Sequence, residues 1–344
     1  TYRDNSITYL LELDELHAWA QATLNTVPAD RRVLITSHDT LGYFALRYGY
    51  QIIGTIIPEI TTGTEISAKN LTELIDTVIK RGVPAIFVEN TTNDRMATRV
   101  AEEADVLHLL SADDLIKPEF YERLLEPLEK VEGRALIYAA YEVIGEDEAL
   151  VEGGDLVNPF PIVPGGQPKE IPQKKFIASQ ADLRTICLPA VLMKTNRERL
   201  PVKMRTDYFL CSDVVFYAEL AKHCECIIEV PSALCQYRRH ASTTTSRNRN
   251  EPAAVIVDEW QAMVSASALL EKSGFSAWLW NFRQRCLLAG TSRRMLQGVE
   301  ELTPHYREEV VRSTREITGL GAWWLGNLAV ALRDFLGQGR RRGW

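Results

Sequence analysis

Arg32-Val33-Leu34-Ile35-Thr36-Ser37-His38-Asp39-Thr40-Leu41-Gly42-Tyr43-Phe44 opens the segment from which the architecture follows. Four apolar or β-branched residues in a row suit a short buried strand, and the polar cluster after them breaks it. Leu41 to Tyr48 then fits one short helix. A second β-branched run, Gln51-Ile52-Ile53-Gly54-Thr55-Ile56-Ile57, ends at Pro58. Strand, short helix and strand at this spacing predict a parallel βαβ unit, because antiparallel neighbours need only a hairpin.

The pattern continues outward. Before it, residues 6–26 carry Leu10, Leu13, Leu16 and Trp19 at helical spacing, with Pro28 as the stop. After it, Ser67 caps a helix containing Leu71, Leu74, Ile75 and Val78, Ala85 to Glu89 forms a third strand, and Asp94 to Glu103 a further helix. Repeated βα units predict a doubly wound, mostly parallel α/β sheet. Val106 to Leu110 is a fourth apolar run, followed by the acidic turn Ser111-Ala112-Asp113-Asp114 and a helix from Pro118 to Lys130. Ala135 to Val143 reads as a strand, Val151 to Lys175 as a long Gly- and Pro-containing loop, Asp213 to His223 as a helix, and Glu225 to Val230 as a strand. A polar linker spans 243–250, and the chain from about 252 to 336 is helical.

Composition narrows the classes. The 344 residues are 46% hydrophobic and 25% charged, as in ordinary globular proteins, and the net charge of −7 argues against a general nucleic-acid binder. The six cysteines all lie in the second half, with no C-x-x-C spacing. They read as small core residues in a reducing compartment. The polar start Thr1-Tyr2-Arg3-Asp4-Asn5 carries no signal-peptide pattern, and the longest weakly polar stretch, Gly319 to Leu332, is too short to span a bilayer. These features lead to the expectation of a cytoplasmic protein.

Residues 1–104 resemble the C-terminal lobe of the zinc/manganese solute-binding proteins of ABC importers. The resemblance rests on Ser37 to Phe44, Arg47-Tyr48-Gly49, Gly54 to Pro58, Glu65-Ile66-Ser67-Ala68 and Phe87-Val88-Glu89-Asn90-Thr91. It implies that His38 is a Zn or Mn ligand at the end of the first strand, where a neutral imidazole suits either ion.

Residues 105–250 resemble the acceptor-side half of family-2 glycosyltransferases of the GT-A type. That resemblance rests on Leu109 to Asp114 with Pro118-Glu119, on Leu188 to Met193, on Ser212-Asp213 with Val215 to Ala221, and on Pro231 to His240. It implies an inverting transfer with Mn or Mg. Asp113 and His240 would hold the metal, Asp114, Arg238 and Arg239 the nucleotide-sugar donor, and Asp213 would deprotonate the hydroxyl of a glycan or lipid-linked acceptor.

Residues 251–344 form a third, helical region. Trp278, Trp280, Phe282, Trp323 and Trp324, with the arginines after Phe335, fit an interfacial helix on the inner face of an anionic membrane. The leading expectation is therefore a cytoplasmic glycosyltransferase, peripheral to the membrane and impaired by loss of its nucleotide-binding half. The alternatives are a truncated metal-binding component of an importer, and a fusion without joint activity.

Overall fold

The computed structural model describes residues 2–29, 32–36, 41–55, 105–110, 113–151, 160–184, 186–196, 200–208, 210–239, 251–297 and 303–341. They divide between two units, one comprising 1–110 with 197–199 and the other 111–196 with 200–344. The fold is mixed α/β, with parallel strand pairing in both units.

In the first unit, β1 (Val33–Thr36) runs parallel to β2 (Gln51–Thr55), with Val33 opposite Gln51 and Thr36 opposite Thr55. Between them lies α2 (Gly42–Tyr48), the helix the sequence predicts, and it ends on Gly49 at φ 71. α1 (Tyr2–Leu24) precedes this βαβ unit. Its apolar residues Leu10, Leu13, Leu16 and Trp19 stay exposed, so the spacing marks a helix but not a buried face. Contacts with the βαβ unit come instead through His17, whose Nδ1 lies 3.2 Å from the Tyr48 hydroxyl, and through the Tyr50 hydroxyl, which donates to the Leu24 carbonyl. Phe44 packs its ring against those of Tyr48 and Tyr50 at 5.0 and 5.8 Å. β3 (Val106–His108) completes the described strands of this unit. The elements expected between residues 67 and 103 lie outside the described residues.

The second unit is built on β5 (Ala135–Ile144), whose residues from Ala135 to Tyr141 are all buried. A strand buried on both faces must read as a continuous apolar run, and Ala-Leu-Ile-Tyr-Ala-Ala-Tyr does. The order across the sheet is β7 (Val191–Lys194), β5, β8 (Cys226–Arg238), β4 (Leu115–Ile116), with β6 (Lys169–Glu170) also on β8. Among the described residues of this unit β5 and β8 pair in parallel, whereas β7 joins β5, and β4 and β6 join β8, antiparallel. The strand expected over Glu225 to Val230 is longer than that. β8 runs through Pro231, and the register against β5 shifts nearby, at Ala139–Tyr141. Proline lacks an amide, so the ladder slips there rather than ending. The Pro231 carbonyl accepts the Val163 amide at 2.6 Å, which pins part of the long loop.

Helices cover this sheet. α3 (Phe120–Glu129) buries Phe120, Leu124 and Leu128 at four-residue spacing. α4 (Gln173–Ala181), α5 (Ser212–Ala221) and α6 (Pro252–Ala268) meet through Ala181, Ala218 and Ala266, where small side chains let the backbones approach. α7 (Gly274–Gln297) is tied to the end of α4 by Arg283, which donates twice to Asp182, with Gln284 adding a third bond at 2.9 Å.

α8 (Pro304–Arg341) reverses at Gly319, whose φ of 74 and ψ of 162 no helix contains. Before the reversal it runs antiparallel to α7. Arg285 donates to the Ile317 carbonyl, Thr314 to Ser292, and Val310 packs with Leu288. After it, the return run follows α7 in the same direction, with Gly326 against Cys286 and Gly290 against Val330.

Candidate functional site

In the first unit the residue of interest, His38, falls two positions beyond β1 and lies outside the described residues. His240 lies outside them too. Among the described residues no group of three His, Cys, Asp or Glu side chains is placed to hold a metal ion.

The second unit gathers several of the predicted residues at one end of its sheet. The register that sets Leu115 opposite Gln236 carries Asp114 to Arg238. The Asp114 carboxylate accepts the Arg238 backbone N–H at 2.8 Å. The Arg238 side chain spreads over the turn after β5. Its Nε donates to the Asp113 carbonyl at 2.9 Å, one terminal nitrogen to the carbonyls of Gly145 and Glu146, and the other to the Glu148 carboxylate at 2.8 Å. Arg238 is thus a brace between β8, the Asp113 turn and the loop at 145–148, and its planar fork is suited to that work. Arg239 donates its amide to the Ile144 carbonyl and continues the parallel ladder. Asp113 itself is exposed.

Asp213 sits in the first turn of α5 and accepts the Val214 amide at 2.8 Å. Burial pushes its carboxyl up to about 6, and the neighbouring Asp258 adds to the rise. Asp258, on α6, accepts the amides of Leu210 and Cys211 at 2.8 Å each, satisfying donors just ahead of α5. Cys187 lies among Asp114, Asp213 and Cys235, and burial first, then Cys235 and the two carboxylates, hold its thiol well above the ordinary range. Asp114 and Asp213 thus both bear on one half-buried thiol.

Asp258, Glu148 and Cys187 were not anticipated as members of this cluster. A signal for Asp258 was present: it shares a helical face with Val255 and Ala262, where an acid must have buried donors to meet.

With this geometry in place, comparison with known proteins separates the two resemblances. Residues 1–129 match the family described as zinc-uptake complex component A, periplasmic. The N-terminal region thus matches a periplasmic metal-binding family over 129 residues. Over 83 residues the chain is 39% identical to the zinc-binding protein TroA of Treponema pallidum, covering 24% of this chain and 26% of that protein. Over 103 residues it is 28% identical to the manganese-binding lipoprotein MntA of Bacillus subtilis, covering 30% and 33%. The solved structure of periplasmic TroA from Treponema pallidum aligns with 32% of this chain and 39% of its own, at 29% identity and a TM-score of 0.27. The chain spans about a quarter to a third of the length of these curated relatives.

These matches correct the leading expectation. The family match runs to residue 129 and so takes in Asp113 and Asp114, the acidic turn on which the transferase resemblance began. The curated relatives described above are a zinc-binding protein and a manganese-binding lipoprotein, not glycosyltransferases. The geometry gives the physical reason the motif misled. Asp114 and Arg238 bind each other's strands, Arg238 is spread over four protein acceptors, and Asp213 bonds its own helix. The sugar transfer expected from the acidic turn is withdrawn, and Mg as its assisting ion has no support among these relatives.

The cytoplasmic expectation is overturned by the same family, which is described as periplasmic. Its premise was the set of unpaired cysteines. Cys211, Cys224 and Cys235 are buried, and burial pushes the Cys224 thiol up to about 12. A thiol held that high is unreactive in any compartment, so Cys224 does not report on it.

Proposed function

We propose that residues 1–129 act as a lobe of an extracytoplasmic solute-binding protein that carries zinc or manganese for an ABC importer, the ion being cargo rather than cofactor. The observation that carries this reading is the family match over residues 1–129. The 39% identity to a zinc-binding protein and 28% identity to a manganese-binding one support it. In this reading β1, α2 and β2 are one repeat of a doubly wound lobe. His38, two positions after β1 in sequence, is the imidazole donor in this reading.

One imidazole does not retain an ion, since zinc sites take about four protein or water ligands. His38 is therefore one donor of a set. The test is calorimetric titration of the whole chain with zinc chloride and with manganese chloride, beside a His38→Ala variant. Binding in the micromolar range, weakened roughly tenfold or more in the variant, is expected because removing one donor strips a ligand from a small set. Absence of heat at millimolar metal removes the receptor reading. Identical isotherms for the two proteins remove His38 from the site.

A further inference from the structure

The return run of α8 exposes an apolar half-cylinder. Leu320, Trp324 and Leu328 repeat every fourth residue, Leu325 lies beside them, and all four are more than half exposed. The opposite side of the same run, with Ala322 and Gly326, is buried, and Gly326 and Val330 pack against α7. From Gly319 to Leu332 the sequence contains no charged residue. A helix that faced only water would place its charges on that outer side.

Aromatic residues extend the same character to α7. Phe275 and Trp278 are exposed and stack at 5.6 Å, and Trp278 stacks in turn on Phe282 at 5.9 Å. Large contiguous apolar surface of this kind marks a place where something binds.

Charge identifies the occupant. The chain as a whole carries −7, yet residues 319–344 contain four arginines, Arg333, Arg340, Arg341 and Arg342, against the single Asp334. Near the run, the exposed Arg315 guanidinium lies 5.4 Å above the Trp323 ring. Tryptophan beside arginine is the composition of helices that lie in the headgroup layer of anionic bilayers, where the indole is half in hydrocarbon and the cation meets phosphate. No helix among the described residues is long and apolar enough to cross a membrane, so a helix lying along the surface fits where a span does not.

We infer that the return run of α8 docks on an anionic lipid surface through Leu320, Trp324, Leu325 and Leu328, with the arginines that follow in sequence supplying positive charge for lipid phosphate. Docking of this face does not depend on metal binding and can fail without it.

The test uses the full chain with vesicles of mixed phosphatidylglycerol and phosphatidylcholine, and with vesicles of phosphatidylcholine alone. Co-sedimentation with the anionic vesicles is expected, with a blue shift of tryptophan emission and release by high salt. Substituting Trp324→Ser and Leu328→Ser together lowers the partition coefficient roughly tenfold or more, since both side chains leave hydrocarbon. A separate protein carrying Arg340→Glu, Arg341→Glu and Arg342→Glu binds anionic vesicles more weakly and phosphatidylcholine unchanged. All five positions lie on the surface run or in the tail after it, and circular dichroism verifies that each variant keeps its helix content. The inference is overturned if the wild type stays in the supernatant with anionic vesicles. It is equally overturned if it forms dimers that the double substitution abolishes, because a second copy then covers the face.

Discussion

Gly326 of α8 lies directly against the main-chain carbonyl of Cys286 in α7, so close that a methyl group on Gly326 would overlap that oxygen, and Ala289 stands on the same spot at 2.9 Å. This is the tightest point of the packing between α7 and the return run. It exists because 326 has no side chain, and because Gly290 lets Val330 approach one turn further on.

Gly326→Ala is therefore expected to destabilise the C-terminal helices by about 1–3 kcal/mol, the usual range for overpacking against backbone that cannot move aside. Gly321→Ala supplies the contrast. Nothing lies within 4 Å of its added methyl, so the substitution is neutral or stabilising by up to about 1 kcal/mol through helix propensity. Urea denaturation followed by circular dichroism separates the two. Equal midpoints would show that the approach at Gly326 is not structural.

Asp258 supports the start of α5 by accepting two amides with one carboxylate oxygen while 4% exposed. Asp258→Ala leaves the Leu210 and Cys211 amides without that acceptor, and a loss of roughly 1–3 kcal/mol follows from unmet buried donors. Asp258→Asn retains an acceptor oxygen and should recover most of it. Hydrogen exchange at residues 210–214 provides the local readout: faster exchange in the alanine variant only is the expected result.

Asp213 gives the second unit a pH dependence of definite sign. Its carboxyl titrates at about 6 in the folded protein, against about 3.9 in an unfolded chain. The unfolded state therefore releases its proton first, and folding stability declines as pH rises from about 4 to about 6. The decline is on the order of 2 kcal/mol, since each tenfold difference in proton affinity is worth about 1.4 kcal/mol and the site is partly hydrated. Asp213→Asn should flatten this part of the stability profile and raise stability above pH 6. A profile from pH 4 to 8 that is unchanged by the substitution would place the titration elsewhere.

Some of this architecture could be read directly from residues. The helix Gly42–Tyr48 and the strand Ala135–Ile144 were legible because length and hydrophobicity agreed: a short segment between two β-branched runs suits one helix, and β5 lies between covered faces. The strand expected to end at Val230 runs on, because a proline reports a missing amide, not whether neighbouring strands can absorb the slip. The reversal at Gly319 was invisible for a related reason. A glycine inside a helical pattern permits a turn, and only the facing surface of α7 requires one.

The cluster around Asp114 depends on register between segments more than a hundred residues apart, which no local pattern encodes. The same distance explains the transferase misreading. Ala112-Asp113-Asp114 is short enough to arise wherever a strand begins with an acid to meet a partner's amide, and here that amide belongs to Arg238. The metal-binding resemblance held because it drew on many residues in order.

Pro231 has one more effect, on how the molecule behaves among copies of itself. Along the flank of β8 away from β5, two very short strands, β4 and β6, each cap a few residues, and the Val163 amide fills the gap at the proline. A thirteen-residue strand left bare on that side would be a template for fibre growth. Interrupted and patched in this way, it presents no uninterrupted row of hydrogen-bonding groups, and recruitment of a foreign strand finds nowhere to begin.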